Sequence, residues 1–431
     1  MGLPSFIHPF AGPEIKTVEM HTAGEPARII YAGYPDISGT LLEQRAKAQS
    51  NHDHIRQSVV YEPHGHQDMY AAVLRPRTEL VDSGAAHMGA LFLTHEGYGI
   101  MCGHATMALG RFLVDCADDS VFPRRRHLTF DDNTNDVEVR LHAPVGLVRV
   151  KVPAVKTDSN GWRTDTNRPV TFLSVPTFAT AVDLPVPIPR DLRWAALGDT
   201  PGVTVDVCHG GAFYAVVSAS ALGFPASLQK PDLAALSNAT KKLKQAVNTS
   251  PELLARLTAP TEKSWQHLYG VMVTDAESGD VLAVAPGSKG AETGLYFYAD
   301  QQVDRSPTGS LVQARVALAV AKKQRRLGES WTYHSLLSRA QGGCGSAFVG
   351  TPVEAIPYGN ATGVRVEVSG RAYYTGASTF VVEDGDELAT GFSFEALGRS
   401  NEIRYIIYYF LKLFPLIFVA FQATVGIVKR S

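Results

Sequence analysis

Cysteine is scarce in this chain: four residues in 431, at positions 102, 116, 208 and 344. Their scatter fits neither a disulfide framework nor a metal-ligand cluster, so a reducing, cytoplasmic compartment is the simpler reading. Cys116, Cys208 and Cys344 read as packing residues. A basic run with interleaved aromatics is also absent, and 40 basic against 42 acidic side chains leave a net charge of −2. That balance argues against nucleic acid as a partner. Met1 to Phe6 has neither a charged flank nor a long apolar run, so it does not read as a signal peptide. Phe6 also stands where myristoylation needs Ser or Thr. His52 with His54, and His64 with His66, are two apart but lack further ligands, and read as solvated or core histidines. Charged residues are 19% against 45% hydrophobic, a globular balance. The length admits two domains with a sizeable core.

What is present centres on Met101-Cys102-Gly103-His104-Ala105-Thr106-Met107-Ala108-Leu109-Gly110-Arg111-Phe112-Leu113. A small polar opening runs into residues that favour helix, with Met107, Leu109, Phe112 and Leu113 to bury. Cys102 is thereby placed at a helix N-terminus, where unpaired N–H groups and the helix dipole favour anions. The thiol pKa is expected to be pulled down there. The N–H groups of Gly103 and His104 suit a carboxylate or phosphate. A similar phrase follows later: Asp304-Arg305-Ser306-Pro307-Thr308-Gly309-Ser310-Leu311-Val312-Gln313-Ala314. Laying Cys102 on Thr308 superposes Gly103 on Gly309 and Ala108 on Ala314. Two facing helix N-termini around one small acidic ligand explain the echo. Two unrelated Gly-containing helix starts would look the same on spacing alone.

Along the chain, residues 1–15 form a loose leader. A strand from Thr17 meets the turn Ala23-Gly24-Glu25-Pro26, and Ala27 to Tyr31 forms a second strand. Leu41 to Val60 has the pattern of one surface helix. Asp68 to Leu74 is a strand and Ala86 to Leu93 a short buried segment. Strands are expected at Val137 to Leu141 and Gly146 to Val152, then a polar linker from Lys156 to Arg168. The second half begins at Val170 to Phe178. It has a helix at Asp232 to Val247 and strands at Leu268 to Thr274, Val281 to Val284 and Leu295 to Ala299, and alternating strands run on to Phe380–Glu383. Two runs of short strands, each ending in one helix with a reactive N-terminus, point to an α+β fold of two similar halves with a cleft between them. Tyr405 to Val428 is nearly all apolar and long enough to span a bilayer. Lys412 and Pro415 interrupt it, and an atypical C-terminus is preferred to a membrane anchor.

The two helix phrases resemble the signatures of the proline racemase family, whose members carry MCGH and DRSPCG around two facing cysteines. Met20-His21-Thr22-Ala23-Gly24-Glu25-Pro26, Gly65-His66-Gln67-Asp68-Met69-Tyr70, Ala143-Pro144-Val145-Gly146-Leu147-Val148 and Gly210-Gly211-Ala212-Phe213-Tyr214 continue the match in order over about residues 16–393. Thr308 stands where racemases and epimerases have their second cysteine, the mark of the trans-3-hydroxy-L-proline dehydratase branch. The resemblance implies two lobes of the diaminopimelate epimerase-like kind, each with strands wrapped around a central helix. A first lobe of 1–165 would carry Cys102, and a second of 166–371 would carry Asp304 and Thr308. Residues 372–393 would return to the first lobe, leaving 394–431 as the apolar tail. A homodimer is expected.

Within that resemblance the substrate is a cyclic imino acid. Its carboxylate accepts from the N–H groups of Gly103, His104, Gly309 and Ser310, where charge develops as the Cα proton leaves. Asp304 pairs with the ring nitrogen, and His104 donates to the carboxylate or to the departing hydroxyl. Cys102 is the base. Thr308 is a poor acid and base, so inversion is disfavoured; a ring 3-hydroxyl leaves as water instead, and Thr308 is placed to bond to it. The implied reaction needs neither metal nor pyridoxal phosphate. Each group also has a plainer reading: Cys102 as an inert buried thiol, Asp304 as a helix cap, Gly309-Ser310 as a turn and cap. Tyr298 is taken as a core aromatic. A racemase or 4-hydroxyproline epimerase, and a non-catalytic imino-acid binder, remain the alternatives.

Overall fold

The computed structural model describes residues 14–393 except 158–160, 226, 259–266, 276–281, 360 and 384. The expectations for the leader before residue 14, for Val281 and for the apolar tail lie outside the described residues. Among the described residues, no helix is long and apolar enough to cross a membrane.

Two buried helices organise the rest. The first, Gly103–Asp115, leaves only Arg111 and Asp115 incompletely buried, and the second, Gly309–Ala321, is as deeply covered. A helix that is apolar nearly all round must be wrapped rather than laid on a surface. In the first lobe the wrapping starts with Glu14–Thr22, paired antiparallel with Glu25–Ala32. Ala71–Arg75 joins parallel to Glu25–Ala32, and Met88–Thr94 pairs antiparallel with Ala71–Arg75. Asp136–Ala143 and Gly146–Lys156 extend the sheet. Val170–Leu173 then pairs with Gly146–Lys156 on one side and Ala361–Gly370 on the other, so hydrogen bonding runs unbroken from lobe to lobe. In the second lobe Leu268–Thr274 lies between Phe213–Ser218 and Ala291–Tyr298. The late strand Ala372–Val381 pairs with Glu14–Thr22.

Alternation along these strands decides what each face covers. Ala71, Val73, Leu91 and Leu93 point outward to Leu41, Ala48, Val59 and Val60 of the surface helices. Ala72, Leu74, Ala90 and Phe92 point inward to Met107, Leu109 and Leu113. The second lobe repeats the plan. Val271, Val273, Leu295 and Phe297 pack on Leu236 and Leu243 of the helix Leu233–Asn248, while Met272, Tyr296 and Tyr298 pack on Leu311, Ala314 and Leu318. Sheets covered on both faces read as near-continuous apolar runs, which is how Ala71–Arg75 and Met88–Thr94 are written.

Two local expectations change. The helix expected over Leu41 to Val60 is two helices, Leu41–Asn51 and Asp53–Val60, broken at His52 with φ −130° and ψ 16°. The break lets Asp53 open the second helix and pair with Arg56 and Gln57. Residues 282–284 form no strand; the Ala283 carbonyl instead accepts from His334 Nε2 at 2.7 Å.

Candidate active site

The two central helices meet at their N-termini through glycine. A Cβ added to Gly103 would lie 2.8 Å from Gly309 Cα, and one added to Gly309 would lie 2.9 Å from Gly103 Cα. Backbone packs on backbone there, so no side chain is admissible on either side. Neither Cys102 nor Thr308 caps its helix with its side chain. The first N–H groups of both helices are thus left to other acceptors, which makes the junction suited to an anion.

Strand and loop contacts hold this junction. Thr22 Oγ1 donates to the His104 carbonyl at 2.9 Å, fastening the first turn of the first helix to the opening strand. Gln313 Nε2 donates to the Gly210 carbonyl at 2.7 Å. Gly210 lies so close to the second helix that a Cβ would come 2.2 Å from the Ser310 carbonyl oxygen.

A cavity of about 230 Å³ opens at the junction and brings together all seven residues singled out from the sequence: Cys102, Gly103, His104, Asp304, Thr308, Gly309 and Ser310. Tyr70, Tyr214, Tyr269 and Tyr296 form much of the remaining wall, with Phe92 and Met101. None of these tyrosines is among the residues expected at the site. Tyr70 and Tyr214 close two of the phrases quoted above, and the alternation of Ala291–Tyr298 turns Tyr296 inward with Tyr298, so a signal was available. Tyr298, read as a core aromatic, is 1% exposed and stacks on Tyr296 with ring centroids 5.5 Å apart.

Asp304 is buried, and each of its oxygens accepts one hydrogen bond. Its Oδ1 accepts the Ser306 N–H at 2.7 Å and its Oδ2 accepts the Thr308 hydroxyl at 2.6 Å. Thr308 itself stands at φ 64° and ψ 99°, a region that β-branched residues rarely enter. Behind this turn, Arg305 Nη2 reaches Asp68 Oδ2 at 2.9 Å, and the Arg305 N–H donates to Glu25 Oε2 at 2.7 Å. Both acceptors come from the first lobe. Glu25 Oε1 has no hydrogen-bond partner among the described residues. Burial, with the Asp304 carboxylate nearby, holds the Glu25 carboxyl well above the usual carboxylate range.

Cys102 corrects an expectation. Burial pushes its thiol up, not down, and the Asp304 and Glu25 carboxylates push the same way. The backbone N–H groups of Ala105 and His104 pull toward the thiolate, as a helix terminus should, but desolvation wins. His104 stands beside the sulfur, with Nδ1 3.4 Å from Sγ and Nε2 3.1 Å from the Pro26 carbonyl. A carbonyl only accepts, so Nε2 carries the hydrogen and Nδ1 is the unprotonated nitrogen; the sulfur stands near both, 3.5 Å from Nε2. Burial lowers the His104 pKa and keeps the ring neutral. The expectation that His104 donates from its imidazole to the ligand does not fit this arrangement, because its one N–H is already used. Across the cavity, Ser310 Oγ accepts from the Tyr214 hydroxyl at 3.1 Å. Among the described residues, no group of three or more His, Cys, Asp or Glu side chains is placed to hold a metal ion.

Comparison with known proteins places this geometry. A family model described as proline racemase matches residues 17–393. A human protein named trans-3-hydroxy-L-proline dehydratase is 39% identical over 382 residues, 88% of this chain and 94% of that protein. A protein of the same name from Colwellia psychrerythraea is 33% identical over 381 residues, 88% of this chain and 92% of its own. Among solved structures, a hydroxyproline epimerase from Agrobacterium vitis with bound trans-4-hydroxy-L-proline superposes with a TM-score of 0.69 at 19% identity, covering 89% of this chain and 95% of that one. A probable proline racemase from Agrobacterium radiobacter gives the same TM-score at 21% identity, covering 88% and 96%. These two likenesses establish the α+β fold of two lobes, each built round a central helix. With the family model spanning nearly all of the described residues, the chain belongs to the proline racemase family.

Proposed function

We propose that this protein is a hydro-lyase that dehydrates trans-3-hydroxy-L-proline to pyrroline-2-carboxylate. The observation that carries the reading is the unlike pair at the two opposed helix N-termini: a sulfur on one side of the cavity, Cys102, and only a hydroxyl on the other, Thr308. The names of the relatives at 39% and 33% identity support the same substrate and reaction.

The substrate carboxylate lies at the junction and accepts from the N–H groups of Gly103, His104, Gly309 and Ser310. Asp304, oriented by Ser306 and Thr308, faces the ring nitrogen. The Ala105 N–H favours the anionic sulfur against the effect of burial, and the Cys102 thiolate removes the Cα proton. Negative charge then spreads into a carboxylate whose donors are fixed beforehand in a cavity walled largely by aromatic and apolar groups, where such donors act most strongly. A hydroxyl with an ordinary alcohol pKa cannot return a proton to the opposite face at a useful rate. The carbanion therefore expels the 3-hydroxyl, and the enamine formed tautomerises to the pyrroline.

The test is incubation in heavy water with trans-3-hydroxy-L-proline, trans-4-hydroxy-L-proline and L-proline, followed by proton NMR. Pyrroline-2-carboxylate from the 3-hydroxy compound is expected. Inverted, Cα-deuterated 4-hydroxyproline formed faster than any pyrroline would establish an epimerase instead. Absence of both label and product would leave a binder.

A further inference from the structure

The relation between the two faces of the bound ring carries the mechanism one step further; this inference rests on the dehydratase reading. In a trans-3-hydroxy-L-proline ring the hydroxyl and the carboxylate lie on opposite faces. The hydroxyl therefore shares a face with the Cα hydrogen. A sulfur that reaches that hydrogen is also beside the C3–O bond about to break.

The opposite face offers no comparable acid. Thr308 has one hydroxyl hydrogen, and it points at Asp304 Oδ2 at 2.6 Å. The Thr308 N–H is bonded in turn to Ser306 Oγ at 3.0 Å, and the Ser306 N–H to Asp304 Oδ1 at 2.7 Å. This closed set holds a β-branched residue at φ 64°. Moving the hydroxyl hydrogen to a substrate would leave a buried carboxylate oxygen without its donor. On the Cys102 side the thiol carries a proton of its own and has His104 Nδ1 3.4 Å away and Nε2 3.5 Å away.

We propose that dehydration is a syn elimination run on one face of the ring by Cys102 alone, and that Thr308 transfers no proton but positions Asp304. The thiolate takes the Cα hydrogen as a proton. The electron pair of the broken C–H bond stays at Cα as the carbanion, then becomes the Cα=C3 π bond as the C3–O bond breaks, and the oxygen leaves with the pair of that bond. The proton now on sulfur passes to this oxygen, which departs as water, and the thiolate is restored. No oxidant, reductant or second acid enters the balance.

Two rates measured on the same protein test this: dehydration of trans-3-hydroxy-L-proline, and exchange of the Cα hydrogen of L-proline into heavy water, which needs Cys102 but no leaving group. Thr308→Val keeps the β-branched shape and removes the hydroxyl. Both rates are expected to fall together by about tenfold through loosening of Asp304, with their ratio nearly unchanged, and Thr308→Ser is expected to recover both. Selective loss of dehydration by about 100-fold or more, with exchange retained, overturns the proposal by making Thr308 the acid. A second measurement needs no variant. In cis-3-hydroxy-L-proline the hydroxyl lies on the Thr308 face, so the wild-type protein is expected to label Cα without forming pyrroline. Dehydration of the cis compound at a rate comparable to the trans compound sinks the one-face account. If the wild type dehydrates neither isomer yet inverts 4-hydroxyproline, the dehydratase reading itself fails, and that result is distinct from the other two.

Discussion

The two helix N-termini share a backbone plan but differ in chemistry. Both start at a glycine, and both leave their first N–H groups uncapped by a side chain. They touch through Gly103 and Gly309, so neither can retreat from the other. At the first, Cys102 has an extended backbone, φ −143° and ψ 109°, and its sulfur faces a neutral imidazole. At the second, Thr308 has a positive φ, and its hydroxyl turns back onto the carboxylate four residues earlier. In the proposed mechanism anion binding is a property of the shared scaffold, whereas proton transfer belongs to one side chain at one end. A symmetric frame carries an asymmetric reaction.

Four changes sharpen or break that contrast. The largest effect is expected from Cys102→Ser, which removes the sulfur and is predicted to lower kcat/KM for dehydration by about 10³-fold. Turnover within a few-fold of wild type would mean that the proton leaves by another route. Thr308→Cys makes the two ends alike. It is expected to add inversion of 4-hydroxyproline, at about 10²-fold above the wild-type background, read by chiral chromatography. Failure to gain any inversion would separate loss of epimerisation from loss of the second sulfur.

Third, the sign of the Cys102 shift sets the pH dependence. Burial raises the pKa of a group that must be anionic to act, so the active fraction grows as pH rises and is smallest at low pH. For the free protein kcat/KM is predicted to climb by about tenfold per pH unit from neutrality into the alkaline range. A plateau reached below pH 8 would show that the sulfur is poised by its helix terminus after all. The smallest effect is expected from Thr22→Val, which deletes the hydrogen bond to the His104 carbonyl. Its cost is predicted at about 1 kcal/mol of stability in denaturant unfolding, with the second helix end unaffected.

Much of this is legible in the sequence. The helix expected from Leu41 does start there, and the structure adds a capping box between Thr40 and Glu43. Asp232 accepts from the Ala235 N–H at 3.0 Å and opens the helix expected at that point. The paired phrases around Cys102 and Thr308 stand at the start of the two buried helices and line one cavity. The misreadings share a cause. Leu41 to Val60 has one continuous apolar pattern, but His52 breaks the backbone without breaking the pattern. A lowered thiol pKa follows from helix position alone, which carries no measure of how deeply the folded chain buries the sulfur. Tyr296 was passed over because period-two alternation marks a residue as inward-facing without saying whether the inside is core or cavity.

Local order in this protein is written in its sequence: which segments are strands, which face of each is apolar, and where two helices open on glycine. Those properties depend on backbone preference and on the repeat of apolar residues, both of which are read within a few positions. The pairing of one end's hydroxyl with Asp304, the placing of the His104 ring beside the sulfur, and the balance of burial against the helix dipole at Cys102 were decided only by the folded chain. Each depends on groups brought together from distant segments, or on how deeply water is excluded, and neither has a period along the sequence.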